Sequence, residues 1–141
     1  MQDLEGIVVD DLAAKREGFW QASSASSGWI GFGYHHDGER GDGESIATFI
    51  PELPRSGRYE VRLAYTPHSN RTTAAPVQIR HREGVAKVTI NQRQTPPIDD
   101  RFLSLGTYNF DEDGSARVTV SNAGTEGYVI IDAVQWLPVE D

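Results

Sequence analysis

Along the second half of the chain, apolar and polar positions alternate with period two in short bursts divided by polar turns. In Arg58-Tyr59-Glu60-Val61-Arg62-Leu63-Ala64-Tyr65 the odd positions are Tyr, Val, Leu and Tyr while the even ones are mostly charged. A strand with one face in a core and the other in water has this pattern. Residues 116–121 repeat it. From Tyr128 to Leu137 the apolar run is nearly continuous, which predicts a central strand. Between Val77-Gln78-Ile79-Arg80-His81-Arg82 and Val85-Ala86-Lys87-Val88-Thr89-Ile90 stands Glu83-Gly84, where Gly is free to take the positive φ of a tight hairpin turn. Ile7-Val8-Val9-Asp10 reads as a short strand, and a further one over 47–50 ends at Pro51 and Pro54, which lack the amide donors a central ladder needs. The rhythm is that of a small all-β sandwich.

At 141 residues, with no linker or repeat, the chain is the size of one domain spanning 1–141. Met1 is expected to open a domain cut from a larger multidomain protein. No apolar run approaches the roughly 20 residues that span a bilayer, and Met1-Gln2-Asp3-Leu4-Glu5 has neither the basic nor the apolar part of a signal peptide. No membrane partner is expected. With no Cys there is neither a disulfide framework nor a thiolate metal site. A net charge of −8 excludes nucleic acid as a natural partner, because a polyphosphate needs a basic surface that releases its counterions. Arg71, Arg80, Arg82, Lys87 and Arg93 concentrate positive charge in the middle third. They either suit an acidic polysaccharide or balance acids elsewhere.

The N-terminal third has another texture. From Gly18 to Gly38 it mixes aromatics with Gly and Ser, and β-sandwiches keep their function in such loops. A flat ring that stacks on a pyranose, flanked by amide or guanidinium groups that read hydroxyls, is the chemistry of sugar binding. Trp20, Trp29, Tyr34 and Tyr108 are candidates, and Trp29 and Tyr34 stand out among their glycines. On the binding reading these two rings are exposed, and on a structural reading they pack inward. Trp136, Tyr59 and Tyr65 fall in the buried series of their strands.

Several pieces of the chain, in order, carry a resemblance: 7–10, 49–61, Ser69-Asn70-Arg71-Thr72, Val88-Thr89-Ile90-Asn91-Gln92, Leu105-Gly106-Thr107-Tyr108-Asn109-Phe110 and Gly127-Tyr128-Val129-Ile130-Ile131-Asp132-Ala133-Val134. Over about 7–138 the chain resembles the golvesin and xanthan-lyase type carbohydrate-binding-like domain. The resemblance implies a single-domain jelly-roll β-sandwich of two antiparallel sheets, galactose-binding-like, that binds polysaccharide without catalysis and targets an attached catalytic domain. It also implies an extracellular or periplasmic location. A spacer domain with no ligand of its own is the alternative. By analogy with such sugar binders, Asn122 would face the loop from Trp29 to His36. The candidate sugar contacts are thus Trp29, Tyr34, His35, Asn122 and Arg71. Turn chemistry alone also accounts for Asn122. Arg71 either grips a carboxylate in a two-pronged hydrogen bond or pins its own loop, and the resemblance favours the loop. Asn91-Gln92 is expected to satisfy loop backbone from inside.

No metal ligand is assigned and no cofactor is expected, although residues 37–44 and 111–114 are acidic and Gly-rich enough to suit calcium. Neither has the EF-hand spacing, and both read as ordinary solvated turns. Adjacent His35 and His36 would point to opposite faces of a strand and share no zinc. The chain has no Gly-x-Ser-x-Gly elbow, phosphate loop or Cys nucleophile, so no enzyme is expected.

Overall fold

A computed structural model describes residues 6–23, 33–98 and 101–139. The strands, in chain order, are β1 (Ile7–Asp10), β2 (Lys15–Glu17), β3 (Gln21–Ser23), β4 (Tyr34–His36), β5 (Ile46–Phe49) and β6 (Gly57–Ala64). They continue with β7 (Ala75–His81), β8 (Gly84–Ile90), β9 (Phe102–Phe110), β10 (Arg117–Ser121), β11 (Ile130–Ile131) and β12 (Ala133–Pro138). Two sheets, ordered β1-β12-β6-β9 and β2-β5-β10-β7-β8, make the sandwich, and a small sheet β11-β4-β3 adjoins them. All strand pairings among the described residues are antiparallel.

The alternation read from the sequence explains the core. Tyr59, Val61 and Leu63 of β6, Phe49 of β5, Ile79 of β7 and Val118 of β10 meet in one buried cluster with Trp136 of β12. Their charged neighbours along each strand stay at the surface. At about 25 cal/mol per Å² of apolar area removed from water, each such side chain contributes about 1.5–3 kcal/mol. The last strand is central, between β1 and β6, but Asp132 divides the predicted run into β11 and β12, which belong to different sheets.

Two local expectations shift. The hairpin between β7 and β8 pairs His81 with Gly84, so its turn is Arg82-Glu83 and Gly84, at φ 136°, is the first residue after it. The longest strand, β9, shows no clean alternation because a bulge against β6 breaks the ladder. Val61 pairs with Gly106 and Arg62 with Ser104, which leaves Leu105 as the extra residue and resets the side-chain faces.

Candidate functional site

Strand β4 is only three residues long, yet it separates two polar environments. Its period of two sends Tyr34 and His36 one way and His35 the other.

On the His36 side, a cleft of about 320 Å³ is lined by Ser23, Tyr34, His36, His68, Asn70, Arg71 and Tyr128. The segment 68–72 is clamped to Tyr128 by backbone. Tyr128 N donates to Asn70 O at 2.9 Å and Thr72 N donates to Tyr128 O at 2.8 Å. Gly127 makes this approach feasible: at φ 85°, a Cβ there would stand 2.8 Å from Asn70 O. Arg71 is buried and holds the loop's own groups, its Nε donating to Thr66 O at 3.0 Å and its guanidinium to Thr66 Oγ1 and Asn70 Oδ1. It also lies over the Tyr34 ring, with Cζ 5.6 Å from the centroid. The loop-pinning role expected for Arg71 agrees with these contacts to Thr66 and Asn70.

The cleft is rich in donors. Gly38 N donates to His36 Nδ1 at 3.0 Å and Asn70 N donates to His68 Nδ1 at 3.3 Å. Both Nδ1 atoms are therefore acceptors, and each neutral imidazole carries its proton on Nε2. Asn70 accepts from Arg71 through Oδ1, which leaves its NH₂ available. His36 meets the Tyr128 ring edge-on at 5.1 Å. Burial first, then the charges of Arg71 and His35, hold His36 below the ordinary imidazole range against the pull of Asp37.

The His35 side is a different chamber. His35 Nδ1 donates to Asp11 Oδ2 at 2.6 Å, and Arg16 reaches its Nε2. Burial first, then Arg16, keep His35 below the ordinary imidazole range. Asp10 and Asp132 lie beside Asp11, and all three are buried. Burial, then Asp11, push the Asp10 carboxyl up to about 7.

The sequence candidates separate accordingly. Trp29 lies outside the described residues. Tyr34, expected as an exposed ring on the binding reading, is a core residue at 3% exposure; it packs in the main hydrophobic cluster with the Arg71 guanidinium over its ring. His35 is enclosed with Asp11. Asn122 is fully buried, accepting from Ser45 N at 3.2 Å and donating to Asp37 Oδ2 at 2.9 Å and Asp42 Oδ1 at 3.2 Å. It anchors the 37–44 segment and does not present its amide to a cleft. Residues 38–44 are exposed or half-buried turns, in line with the reading of that segment as solvated, and Asp37 alone departs from it. Asp37 is fully buried and also accepts from Val129 N at 2.9 Å. Of the other aromatics, Tyr108 stacks on His81 at 4.7 Å and Trp20 packs partly buried against the core. Gln92 acts from inside as expected, its amide pairing both backbone groups of Ile130 at 2.9 and 2.8 Å. The basic residues of the middle third do not form one face, since Arg71 is buried and Arg82 pairs with Asp111 at 2.7 Å.

His36, His68, Asn70 and Tyr128 were not singled out as sugar contacts. A signal existed in the pairing of Ser69-Asn70-Arg71-Thr72 with Gly127-Tyr128, both within the family resemblance, but their meeting depends on a contact across 58 residues.

Comparison with known proteins matches this architecture. The chain is 33% identical to xanthan lyase of Bacillus sp. (strain GL1) over 143 residues, which cover 97% of this chain and 15% of that protein. It superposes on Paenibacillus xanthan lyase with a TM-score of 0.89 at 31% identity, over 95% of this chain and 13% of that one. A Podospora anserina GH26-CBM35 β-(1,4)-mannanase shares the fold, with a TM-score of 0.69 at 17% identity, over 98% of this chain and 29% of that one. The chain thus spans about one seventh of the curated relative it matches. The Golvesin C-terminal domain family matches residues 7–137, nearly the whole of the sandwich, and the chain belongs to that family.

Proposed function

We propose that this domain is a noncatalytic carbohydrate-binding module, and that the cleft between His36, His68, Asn70 and Tyr128 takes a saccharide unit. The observation that carries this reading is the chemistry of that cleft. The Tyr128 ring offers apolar surface to a pyranose, while two imidazole Nε2–H groups and the Asn70 amide offer donors to its oxygens. The excess of donors, beside the Arg71 charge, favours an acidic saccharide. A relative of this chain is a xanthan lyase, which supports a polysaccharide as ligand and a catalytic domain attached to this one. An extracellular or periplasmic location accords with such ligands.

A second reading, a spacer with no ligand, draws on one observation: Tyr34, His35 and Asn122 are buried within the fold. Affinity electrophoresis against neutral and acidic polysaccharides, xanthan included, decides between them. Retardation by an acidic polymer that Tyr128→Ala abolishes, with the fold intact, is the expected result. No retardation by any polymer would leave the spacer.

A further inference from the structure

We propose that Asp10, Asp11 and Asp132 bind one divalent cation, calcium by size, which ties the first strand of the sandwich to the last. One carboxylate oxygen from each lies within 4.8 Å of the other two. Ligand oxygens that share a calcium ion at about 2.3–2.6 Å are at most about 5 Å apart, so one ion can meet all three. The three residues are 7%, 2% and 0% exposed. Asp10 Oδ1 is enclosed and receives no hydrogen bond, an arrangement that is costly for a carboxylate unless something positive faces it.

Charge and topology favour a cation. Three carboxylates stand against Arg16, which touches His35 on the far side of Asp11. Three buried carboxyl groups this close repel one another when ionised, and a divalent ion set among them would offset that repulsion. The backbone already holds the three together: Asp11 N donates to Asp132 O at 2.6 Å, and β1 pairs with β12 from Asp10 opposite Ala133 onward. All the carboxylate donors are hard oxygens, and neither Cys nor an available imidazole nitrogen enters the set, since both ring nitrogens of His35 are engaged. The two acidic turns that drew attention in the sequence are occupied otherwise. Asp111 pairs with Arg82, Asp113 accepts from Ser115 and Asp37 accepts from Asn122.

The test does not depend on saccharide binding. The whole chain is stripped with EDTA and dialysed, then titrated with CaCl₂ and, in parallel, MgCl₂ by calorimetry, and its thermal unfolding is followed with and without calcium. The expected result is one calcium per chain and a Tm higher by roughly 5–10 °C at calcium a hundredfold above its dissociation constant. Asp10→Asn and Asp132→Asn should each remove the heat of binding and the calcium-dependent rise in Tm. Asp10→Asn keeps the shape and removes one of three like charges, so in EDTA it should melt higher than the parent, which shows that the variant folds. No heat with either ion and identical unfolding with calcium and with EDTA would overturn the site. So would calcium binding that survives in both variants.

Discussion

The two sides of β4 place adjacent residues of the same type in different chemistry. His35 is locked between Asp11 and Arg16, with both ring nitrogens engaged inside the protein. His36, one residue on, engages only Nδ1 internally and turns its ring to Tyr128 and the cleft. A side chain whose hydrogen bonds are all internal holds the fold together, whereas one with a donor left over can serve a ligand. The same difference divides Asn122, enclosed with Asp37 and Asp42, from Asn70, whose NH₂ remains available.

The largest effect should come from the enclosed side. His35→Ala removes the donor that faces a buried carboxylate and leaves a cavity, so it should cost about 3 kcal/mol in urea denaturation. His36→Ala should cost about 1 kcal/mol, the edge-on ring contact. Equal costs for the two would erase the distinction between the faces.

Next in size, Asn122→Ala removes the donor to Asp37 Oδ2 and the acceptor of Ser45 N–H, and a loss of about 2 kcal/mol is expected from the same denaturation curves. Saccharide retention per folded molecule should be unchanged. Retention that fell with Asn122 and not with Asn70 would return Asn122 to the binding surface.

On the cleft side, Asn70→Ala and Tyr128→Ala should each weaken binding of an acidic polysaccharide about tenfold, or about 1.4 kcal/mol. The electrophoretic dissociation constant is the readout, and a circular-dichroism spectrum matching the parent shows that the fold is kept.

The smallest effect sharpens the comparison through pH. His36 has its folded pKa below the ordinary 6.5, so it is neutral at pH 7 and gains charge only as the pH falls below 6.5. The sign for binding follows: affinity for an acidic saccharide should rise on acidification in that window, while the native state, which disfavours the charged ring, is destabilised. In His36→Gln the rise should be smaller, and a rise as steep as the parent's would assign it to another group.

Much of the fold was legible. Tyr59, Val61, Leu63 and Trp136 are buried as their period-two positions indicate, because alternation is a property of the strand itself. Strand β9 was not read as a strand, since the bulge at Leu105 moves its apolar residues out of phase. Strand β4 was read as an exposed loop. Glycine and aromatic residues suit a loop tip and a close-packed short strand equally well, and only the pairing of His36 with Ile130 and Gln21 tells which.

The site divides in the same way. By itself the sequence determined an antiparallel sandwich, its central last strand, its inward rings and the family to which it belongs. These depend on neighbours in the chain and on motifs whose order is preserved. Tertiary structure decided which polar groups are enclosed and which reach solvent. Tyr128 meets Asn70, and Asp10 meets Asp132, only when strands far apart in sequence are paired. A polar side chain's role depends on how many of its hydrogen bonds the fold has already taken, and that count does not exist until the fold does.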